Sequence, residues 1–181
     1  MSRVIDLLRH GETERGGGFR GSLDDALTAT GWAQMRAAVE GAGPWTRIVS
    51  SPLQRCAAFA RDLAERLALP LAFDEALREL HFGDWEGRSA AELMETDADG
   101  LGAFWNDPYA FTPPNGEPLE AFEARVLAAR QRLLEGDDGP VLVVSHGGVI
   151  RLLLALARGL PRQQLMSVEV PHASLQRIVL P

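Results

Sequence analysis

Short apolar runs alternate with longer amphipathic stretches along the chain, and no other feature constrains its fold as strongly. The apolar runs lie at 4–8, 47–50, 69–73, 140–145 and 173–180. Short buried strands that alternate with helices are typical of a mostly parallel sheet with helices on both faces. The pattern therefore predicts an α/β fold, and since no repeat or linker interrupts the sequence, we expect one domain over 1–181.

Capping residues indicate where the intervening helices begin. Ser51 is expected to cap a helix with Pro52 in its first position and Arg55 in its first turn. Ser89 followed by Glu92 has the spacing of a capping box, which predicts a short helix there. The other helices are predicted at 28–39, 119–134 and 148–158.

The stretch NDPYAFTPPNGEP at 106–118 is irregular and contains four of the chain's eleven prolines. Long ordered loops are often functional, so this stretch, and 108–118 in particular, is a candidate lid or substrate wall. A rigid crossing over the surface explains the prolines equally well. The sequence leaves both interpretations open.

Composition and charge limit the partners and the compartment. The formal net charge of −7 disfavours nucleic acid or an anionic membrane as the main partner, although it permits a local cationic pocket. Cys56 is the single cysteine, so an intrachain disulfide is impossible and a reducing cytoplasm is indicated. No stretch has the roughly 18–20 apolar residues of a membrane span. We therefore expect a cytoplasmic protein that binds neither nucleic acid nor membrane.

Two histidines occur in the same local context. His10 and His146 each follow an apolar run and precede glycine, and Arg9 or Ser145 stands directly before them. Ligands of parallel sheets bind beyond the carboxyl ends of the strands, so both imidazoles are expected at one crevice. Histidine can act there as a nucleophile, an acid–base group or a metal ligand. One such histidine is more often structural, but two in matching positions favour a functional site.

Arginines near these histidines indicate an anion rather than a metal ion. Arg9 adjoins His10, and Arg55 lies at the positive end of a predicted helix, where a cation is unfavourable by about 0.3–1 kcal/mol. Arginine binds phosphate in bidentate geometry, so a phosphorylated ligand fits both residues. The alternative for Arg55 is that its long side chain simply reaches solvent. The histidines also lack HxH or HExxH spacing, so no metal ion is expected.

A proton donor is expected in the sequence LRELHFGDWEG. Glu79 can donate a proton to a leaving oxygen, and spacing alone leaves Asp84 and Glu86 as competitors. His81 is expected on the surface of this loop, whereas His172 can either face the site or cap the last strand. The sequence does not rank these two positions of His172.

Four motifs together resemble the histidine phosphatase superfamily, the phosphoglycerate mutase-like enzymes. LLRHGET, SSPLQRC, LRELHFGDWEG and VVSHGGVIR occur in that family's order and span nearly the whole chain. The resemblance implies a single-domain three-layer α/β/α sandwich, in which a mostly parallel six-stranded sheet has one antiparallel strand. It also implies an enzyme that acts on phosphorylated small molecules without a cofactor or a metal ion.

The resemblance assigns roles to five residues. His10 matches the nucleophile that becomes phosphohistidine, and Glu79 matches the proton donor. Arg9, Arg55 and His146 match the residues that surround the transferring phosphoryl group. The residue types agree with this chemistry, because phosphoryl transfer spreads negative charge over the equatorial oxygens and is catalysed mainly by positioning and electrostatics.

Gly16 departs from the family pattern, since many relatives carry an asparagine six residues after the histidine. One side-chain donor for the phosphate is therefore missing, and Arg15, Arg20 or the backbone near Gly21 are candidate substitutes. The chain also lacks the tandem arginines with which glycolytic mutases bind their carboxylated substrate. Together with the short chain, this favours a phosphatase over a mutase.

Two segments resemble bacterial α-ribazole phosphatases of the cobalamin pathway. They are RHGETERGGGFRGSLDDALTATGWAQM and FWNDPYAFTPPNGEPLEAFEARV. The resemblance implies removal of the 5′-phosphate from α-ribazole 5′-phosphate or from the corresponding cobalamin phosphate, and we expect a monomer or a homodimer. The alternatives are a broad-specificity or sugar-phosphate phosphatase, a phosphoglycerate mutase, and a non-catalytic module that binds a phosphorylated ligand.

Overall fold

A five-stranded mixed sheet forms the centre of the computed structural model, which describes residues 2–136 and 138–180. The strands are β1 (Arg3–Arg9), β2 (Arg47–Ser50), β3 (Leu71–Phe73), β4 (Val141–Ser145) and β5 (Leu175–Leu180). Their order across the sheet is β3-β2-β4-β1-β5. Strand β5 runs antiparallel to β1, and the other neighbouring pairs are parallel. The sheet is therefore mostly parallel, as the sequence pattern predicts.

Helices connect the strands. The α-helices are α1 (Ala29–Val39), α2 (Gln54–Leu67), α3 (Ala90–Thr96), α4 (Ala98–Asn106), α5 (Leu119–Glu135) and α6 (Gly147–Ala157). Short 3-10 helices lie at Glu75–Leu77, Gly83–Trp85 and Arg162–Ser167. Within 2–136 and 138–180, none of these helices has the length and apolar character needed to cross a membrane.

The helices cover both faces of the sheet and make the three-layer α/β/α sandwich that the resemblance implies. Strand β4 is buried throughout, and its successive side chains point to opposite faces. Leu142 belongs to the same apolar cluster as Met35 of α1 and Phe59 of α2. Val143 belongs to a second cluster with Phe122 of α5. Each face of the central strand therefore packs against its own layer of helices.

The described residues contain five strands instead of the six that the resemblance implies, so the strand count is corrected. The five strands coincide with the five apolar runs of the sequence. The long segment between β3 and β4 forms helices and a proline-rich loop instead. Proline has no N–H to donate to a strand ladder, which explains why this loop adds no strand.

Helix α2 begins at Gln54, later than Ser51 and Pro52 predict. Leu53 takes the N-cap position without a side-chain hydrogen bond. The Ser51 hydroxyl accepts a hydrogen bond from Leu53 N at 3.3 Å and also lies 2.7 Å from His146 Nε2. Ser51 thus links the turn before α2 to the end of β4. The capping box of Ser89 and the Thr28 cap are both present.

The irregular segment after α4 packs on the turn at Gly83. Asp84 N donates a hydrogen bond to Pro114 O at 2.8 Å. Gly83 has a φ of +57°, and a Cβ at this position would lie 2.1 Å from the same Pro114 oxygen. Any side chain here would therefore push the segment away, and glycine is required for the close approach.

Candidate active site

A cavity of about 160 Å³ lies at the carboxyl ends of β1 and β4, and we call it the polar cavity. Its lining residues are Arg9, His10, Gly18, Phe19, Arg20, Glu79, Phe82, Gly147, Gly148 and Arg151. The parallel register that pairs Arg9 with Ser145 brings the two strand ends together. The three arginines in this lining make the cavity suitable for an anion.

His10 is a buried imidazole whose ring nitrogens have different roles. Its Nδ1 lies 2.8 Å from the carbonyl oxygen of Gly11. Since a carbonyl oxygen only accepts, Nδ1 carries the ring proton and Nε2 keeps its lone pair. Burial lowers the pKa of His10 well below its usual value, and the charge of Arg55 adds to this. His10 is therefore neutral and able to act as a nucleophile near neutral pH.

His146 lies beside His10, as the matching strand ends predict. The centroids of the two rings are 5.4 Å apart, and the ring planes are inclined by 62°. His146 is completely buried, and its Nε2 lies 2.7 Å from Ser51 Oγ. Burial, followed by the charge of Arg55, lowers the pKa of His146 well below its usual value. The two imidazoles are thus neutral neighbours, although His146 does not itself line the polar cavity.

Cys56 carries a buried thiol near these two rings, but the thiol is not a nucleophile. Its Sγ lies 3.7 Å from His146 Nε2 and 3.4 Å from Ser145 O. Burial raises the pKa of the Cys56 thiol to about 12, so it stays protonated and unreactive at neutral pH.

Arg9 is held at the edge of the polar cavity by the backbone. Its Nη1 donates a hydrogen bond to Val170 O at 2.5 Å, whereas its buried Nε has no hydrogen-bond partner within 2–136 and 138–180. A Cβ on Gly147 would lie 3.2 Å from that Nε, so the guanidinium packs closely on the start of α6. Burial lowers the pKa of Arg9. An anion in the cavity would supply the missing acceptor.

Arg55 is completely buried, so the alternative that it reaches solvent is wrong. Its Nη2 donates to Gly21 O at 2.9 Å, and its Nη1 donates to Leu23 O at 2.5 Å. Nη1 also lies 3.7 Å from Asp25 Oδ1. The guanidinium therefore fastens the loop between β1 and α1, which we call the glycine-rich loop, to the start of α2. Arg55 does not line the polar cavity.

Glu79 is the carboxyl group of its loop that reaches the polar cavity. Its Oε2 accepts a hydrogen bond from Gly148 N at 2.9 Å, and its Oε1 accepts one from Leu80 N at 2.9 Å. Asp84 is exposed and lies outside the cavity lining. Glu86 accepts backbone hydrogen bonds from the glycine-rich loop instead. Of the three candidate donors, Glu79 is therefore the one that lines the polar cavity together with His10.

Arg20 is the one candidate substitute for the missing asparagine that lines the polar cavity. Its Nε lies 2.9 Å from Asp25 Oδ2, which holds the side chain in place. Arg15 is exposed and lies outside the lining. The N–H of Gly21 already donates to a carboxylate at 2.9 Å, and Gly16 is exposed with a φ of +67°.

One protein family model matches almost the whole chain, from residue 5 to residue 180, and it describes the histidine phosphatase superfamily (branch 1). The chain belongs to this superfamily. The membership that the four sequence motifs imply is thereby confirmed.

Relatives within the superfamily are named phosphatases. The adenosylcobalamin/alpha-ribazole phosphatase of Escherichia coli (strain K12) is 35% identical over 170 residues, with 91% of this chain and 83% of that protein covered. The crystal structure of the alpha-ribazole phosphatase from Shigella flexneri has a TM-score of 0.85 at 31% identity and covers 98% of this chain and 93% of that one.

Mycobacterial proteins are also similar. A structure of the mycobacterial glucosyl-3-phosphoglycerate phosphatase in complex with VO3 has a TM-score of 0.86 at 32% identity, covering 97% of this chain and 90% of that one. Longer mycobacterial relatives are 41% identical over 157 residues, and the chain spans 43% of their length.

Two further side chains belong to the surroundings of His10. Arg151 lines the polar cavity, and it was not singled out by the sequence. The sequence clue to Arg151 is its position four residues after Gly147, which places it one turn into α6 and on the same helix face as Gly147. His172 has its ring centroid 5.7 Å from that of His10, because Ala173 N donates to His10 O at 3.1 Å. Burial lowers the pKa of His172.

A larger pocket of about 380 Å³ adjoins the polar cavity, and we call it the apolar pocket. The residues common to both are Gly18, Phe19, Glu79, Phe82, Gly148 and Arg151. The rest of the lining is Leu80, Ala90, Phe104, Trp105, Pro108, Leu119, Phe122, Leu165 and Met166. Trp105 is 49% exposed and Met166 is 37% exposed, although both are large and apolar. An apolar group bound here would remove their side chains from water.

The titratable side chains that the structure describes do not form a metal site. Within 2–136 and 138–180, no three histidine, cysteine, aspartate or glutamate side chains are grouped so that they could hold a metal ion. The positive charges at the polar cavity come from arginine instead.

Proposed function

We propose that the protein hydrolyses phosphomonoesters through a phosphohistidine formed on His10. The observation that carries this proposal is the neutral His10 ring, with its proton fixed on Nδ1, in a cavity lined by three arginines. Nε2 keeps its lone pair, and the ring lines a cavity suited to a phosphoryl group. The phosphatase names of the relatives agree with this assignment.

The reaction has two steps. In the first, His10 Nε2 attacks phosphorus, the bond from phosphorus to the ester oxygen breaks, and Glu79 gives its proton to the departing alkoxide. In the second, water attacks the phosphohistidine, the N–P bond breaks, and the Glu79 carboxylate takes a proton from that water. Inorganic phosphate leaves, and both His10 and Glu79 return to their starting states.

Fixed positive charge stabilises the transferring group in both steps. Arg9 has an unpaired buried Nε at the polar cavity, and Arg20 lines it where the family asparagine is missing. The amides at the start of α6 add the positive end of a helix dipole at Gly147. Hydrogen-bond donors that are already in place therefore stabilise the negative charge on the phosphoryl oxygens. Arg55 supports this arrangement by holding the glycine-rich loop, and His146 supports it by packing against the His10 ring.

We infer further that the substrate is α-ribazole 5′-phosphate or the corresponding cobalamin phosphate. The apolar pocket supports this, because Phe19, Phe82, Phe104 and Trp105 offer flat apolar walls to an aromatic base. A sugar with a carboxylate, as in glucosyl-3-phosphoglycerate, would find few polar partners there. A role in cobalamin biosynthesis, a cytoplasmic location, and a monomeric or homodimeric state remain predictions from the sequence.

The test is a substrate panel ranked by kcat/KM. The panel contains α-ribazole 5′-phosphate, glucosyl-3-phosphoglycerate, ribose 5-phosphate and 3-phosphoglycerate, with His10→Ala as the inactive control. We expect the kcat/KM of α-ribazole 5′-phosphate to be the highest by at least about tenfold. A tenfold difference corresponds to the free energy gained by burying about one to two extra methylene-sized groups. Equal values would indicate a broad-specificity phosphatase, and conversion of 3-phosphoglycerate to 2-phosphoglycerate would indicate a mutase.

A further inference from the structure

Arg151 occupies the junction between the two binding spaces. It lies one turn into α6, and its side chain lines both the polar cavity and the apolar pocket. The other two cavity arginines, Arg9 and Arg20, line the polar cavity but not the apolar pocket. Arg151 is therefore the cationic side chain next to both the phosphate site and the site proposed for the aromatic group.

The guanidinium of Arg151 is anchored but not neutralised. Its Nε donates a hydrogen bond to Val168 O at 2.9 Å, which orients the planar group. Arg20 is paired with Asp25 at 2.9 Å, whereas no carboxylate pairs with Arg151 in the parts of the chain that the structure describes. A half-buried guanidinium keeps hydrogen-bond donors that favour an acceptor, and a bound ligand can provide one.

We propose that Arg151 determines specificity by donating hydrogen bonds to oxygen atoms on the alcohol, between the ester oxygen and the apolar ring. This inference rests on the proposed function and deepens it. The substrate class is then a three-part phosphomonoester, in which a hydroxylated linker joins phosphate to an aromatic base. The ribose of a nucleotide-like substrate supplies such oxygens at the place where the two spaces meet.

The experiment compares three esters that differ in one part each. α-Ribazole 5′-phosphate has the ribose and the aromatic base, ribose 5-phosphate lacks the base, and 2-phenylethyl phosphate lacks the hydroxyls. The variants are Arg151→Ala and Arg151→Lys, and Arg158→Ala at the other end of α6 is the matched control. Thermal unfolding of each variant verifies that the fold is retained.

We expect Arg151→Ala to lower kcat/KM for both ribose esters at least about tenfold more than for 2-phenylethyl phosphate, through KM more than kcat. Arg151→Lys should fall between Arg151→Ala and wild type, because lysine keeps the charge but not the planar donor set. Arg158→Ala should leave the ratios between the three esters unchanged. An equal loss on all three esters would mean that Arg151 binds the phosphoryl group, and this would overturn the proposal.

The aromatic part of the proposed function is tested separately with Phe104→Ala. This variant should lower kcat/KM for α-ribazole 5′-phosphate and 2-phenylethyl phosphate while sparing ribose 5-phosphate. If wild type treats α-ribazole 5′-phosphate and ribose 5-phosphate alike, the assignment of the aromatic substrate fails. The ratio of ribose 5-phosphate to 2-phenylethyl phosphate in Arg151→Ala still decides the role of Arg151 in that case.

Discussion

The rings of His10 and His146 meet edge to face, with centroids 5.4 Å apart. They come from strands that are distant in sequence but paired in the sheet, and the register of Arg9 with Ser145 aligns the strand ends. Burial and shared positive surroundings keep both imidazoles neutral, because a charged ring here would face other cations without water. A neutral pair at a cationic cavity suits nucleophilic attack on a phosphoryl group.

His10→Ala is expected to abolish turnover without unfolding the protein. The loss should reach about 10⁴–10⁶-fold in kcat, the scale seen when an enzyme loses its nucleophile. Wild type and variant, quenched with a denaturing detergent at alkaline pH, are compared for a phosphoprotein that is stable in base and labile on later treatment with acid. His81→Ala, on the nearby loop, is the control and should keep the signal. A His10→Ala variant within tenfold of wild type would contradict the nucleophilic role.

Stability should fall as the pH drops below about 6.5, the usual histidine value. In the folded state the pKa of both His10 and His146 is lowered, so the unfolded chain binds more protons in the window below 6.5. Protonation therefore favours unfolding, by at most about 1.4 kcal/mol per pH unit for each histidine. Urea unfolding between pH 8 and pH 5 measures this slope.

The matched comparison for that pH dependence is His10→Asn, which should have a shallower slope over the same range. Asp6 has a lowered pKa because of hydrogen bonds from Arg177 and Trp45, although burial opposes them. Its contribution is lost only as the pH falls below the ordinary aspartate range, so Asp6 does not add to the slope between pH 8 and pH 5. Equal slopes in wild type and His10→Asn would show that His10 is not the titrating group.

The position of the two histidines was predictable because the signal is local. Each follows directly on an apolar strand, and parallel strands bring their carboxyl ends to one edge. The burial of Arg55 was not predictable, since its acceptors Gly21 and Leu23 lie far upstream and meet it only when the loop folds over α2. The place of Arg151 depends likewise on how α6 packs beside the carbonyl of Val168.

The strand count illustrates the same contrast. The hydrophobic pattern marks five strands, and the described residues contain five, whereas the resemblance implies six. The continuous apolar run of β4 predicts a strand that is buried on both faces, and all five of its residues are buried. The apolar pocket could not be foreseen, because Phe19, Phe104 and Met166 come from three distant segments that no local pattern joins.

Arg55→Met is expected to lower both stability and kcat/KM. The carbonyl groups of Gly21 and Leu23 would lose their donor inside the protein, which costs about 1–3 kcal/mol of unfolding free energy. The loosened loop would also misplace Arg20, so activity should fall further than stability alone explains. Urea unfolding and kcat/KM are measured beside Arg61→Met, an exposed arginine on the same helix. Unchanged stability in Arg55→Met would mean that the loop is held by other contacts.

Activity should not depend on a metal ion, and vanadate should inhibit competitively. Arginines supply the positive charge at the polar cavity, and vanadate imitates the five-coordinate phosphorus of the transition state. Turnover is measured after extensive treatment with a chelator, and then with vanadate over a range of substrate concentrations. Loss of activity with the chelator, followed by recovery with one divalent ion, would refute the assignment.

Glu79→Gln tests the proton donor through the leaving group. The amide keeps the size of the side chain at the hydrogen bond from Gly148 N, but it has no acidic proton to give. An alkoxide leaves poorly without a proton, so hydrolysis of ribose 5-phosphate should fall by about 10²–10⁴-fold. A p-nitrophenolate leaves readily without protonation, so formation of the phosphohistidine from p-nitrophenyl phosphate should be largely spared.

The kinetics of the second step distinguish proton donation by Glu79 from mere positioning of the substrate. Glu79 is also proposed to take a proton from water, so the variant should release p-nitrophenol in a fast burst and then turn over slowly as the phosphohistidine accumulates. Rapid-quench measurement of the burst isolates the first step from the second. Asp84→Asn is the control, because Asp84 is exposed and accepts hydrogen bonds from Asn115 at 3.1 Å, away from the polar cavity. If the burst on p-nitrophenyl phosphate slows as much as the reaction of ribose 5-phosphate, Glu79 positions the substrate and does not donate the proton.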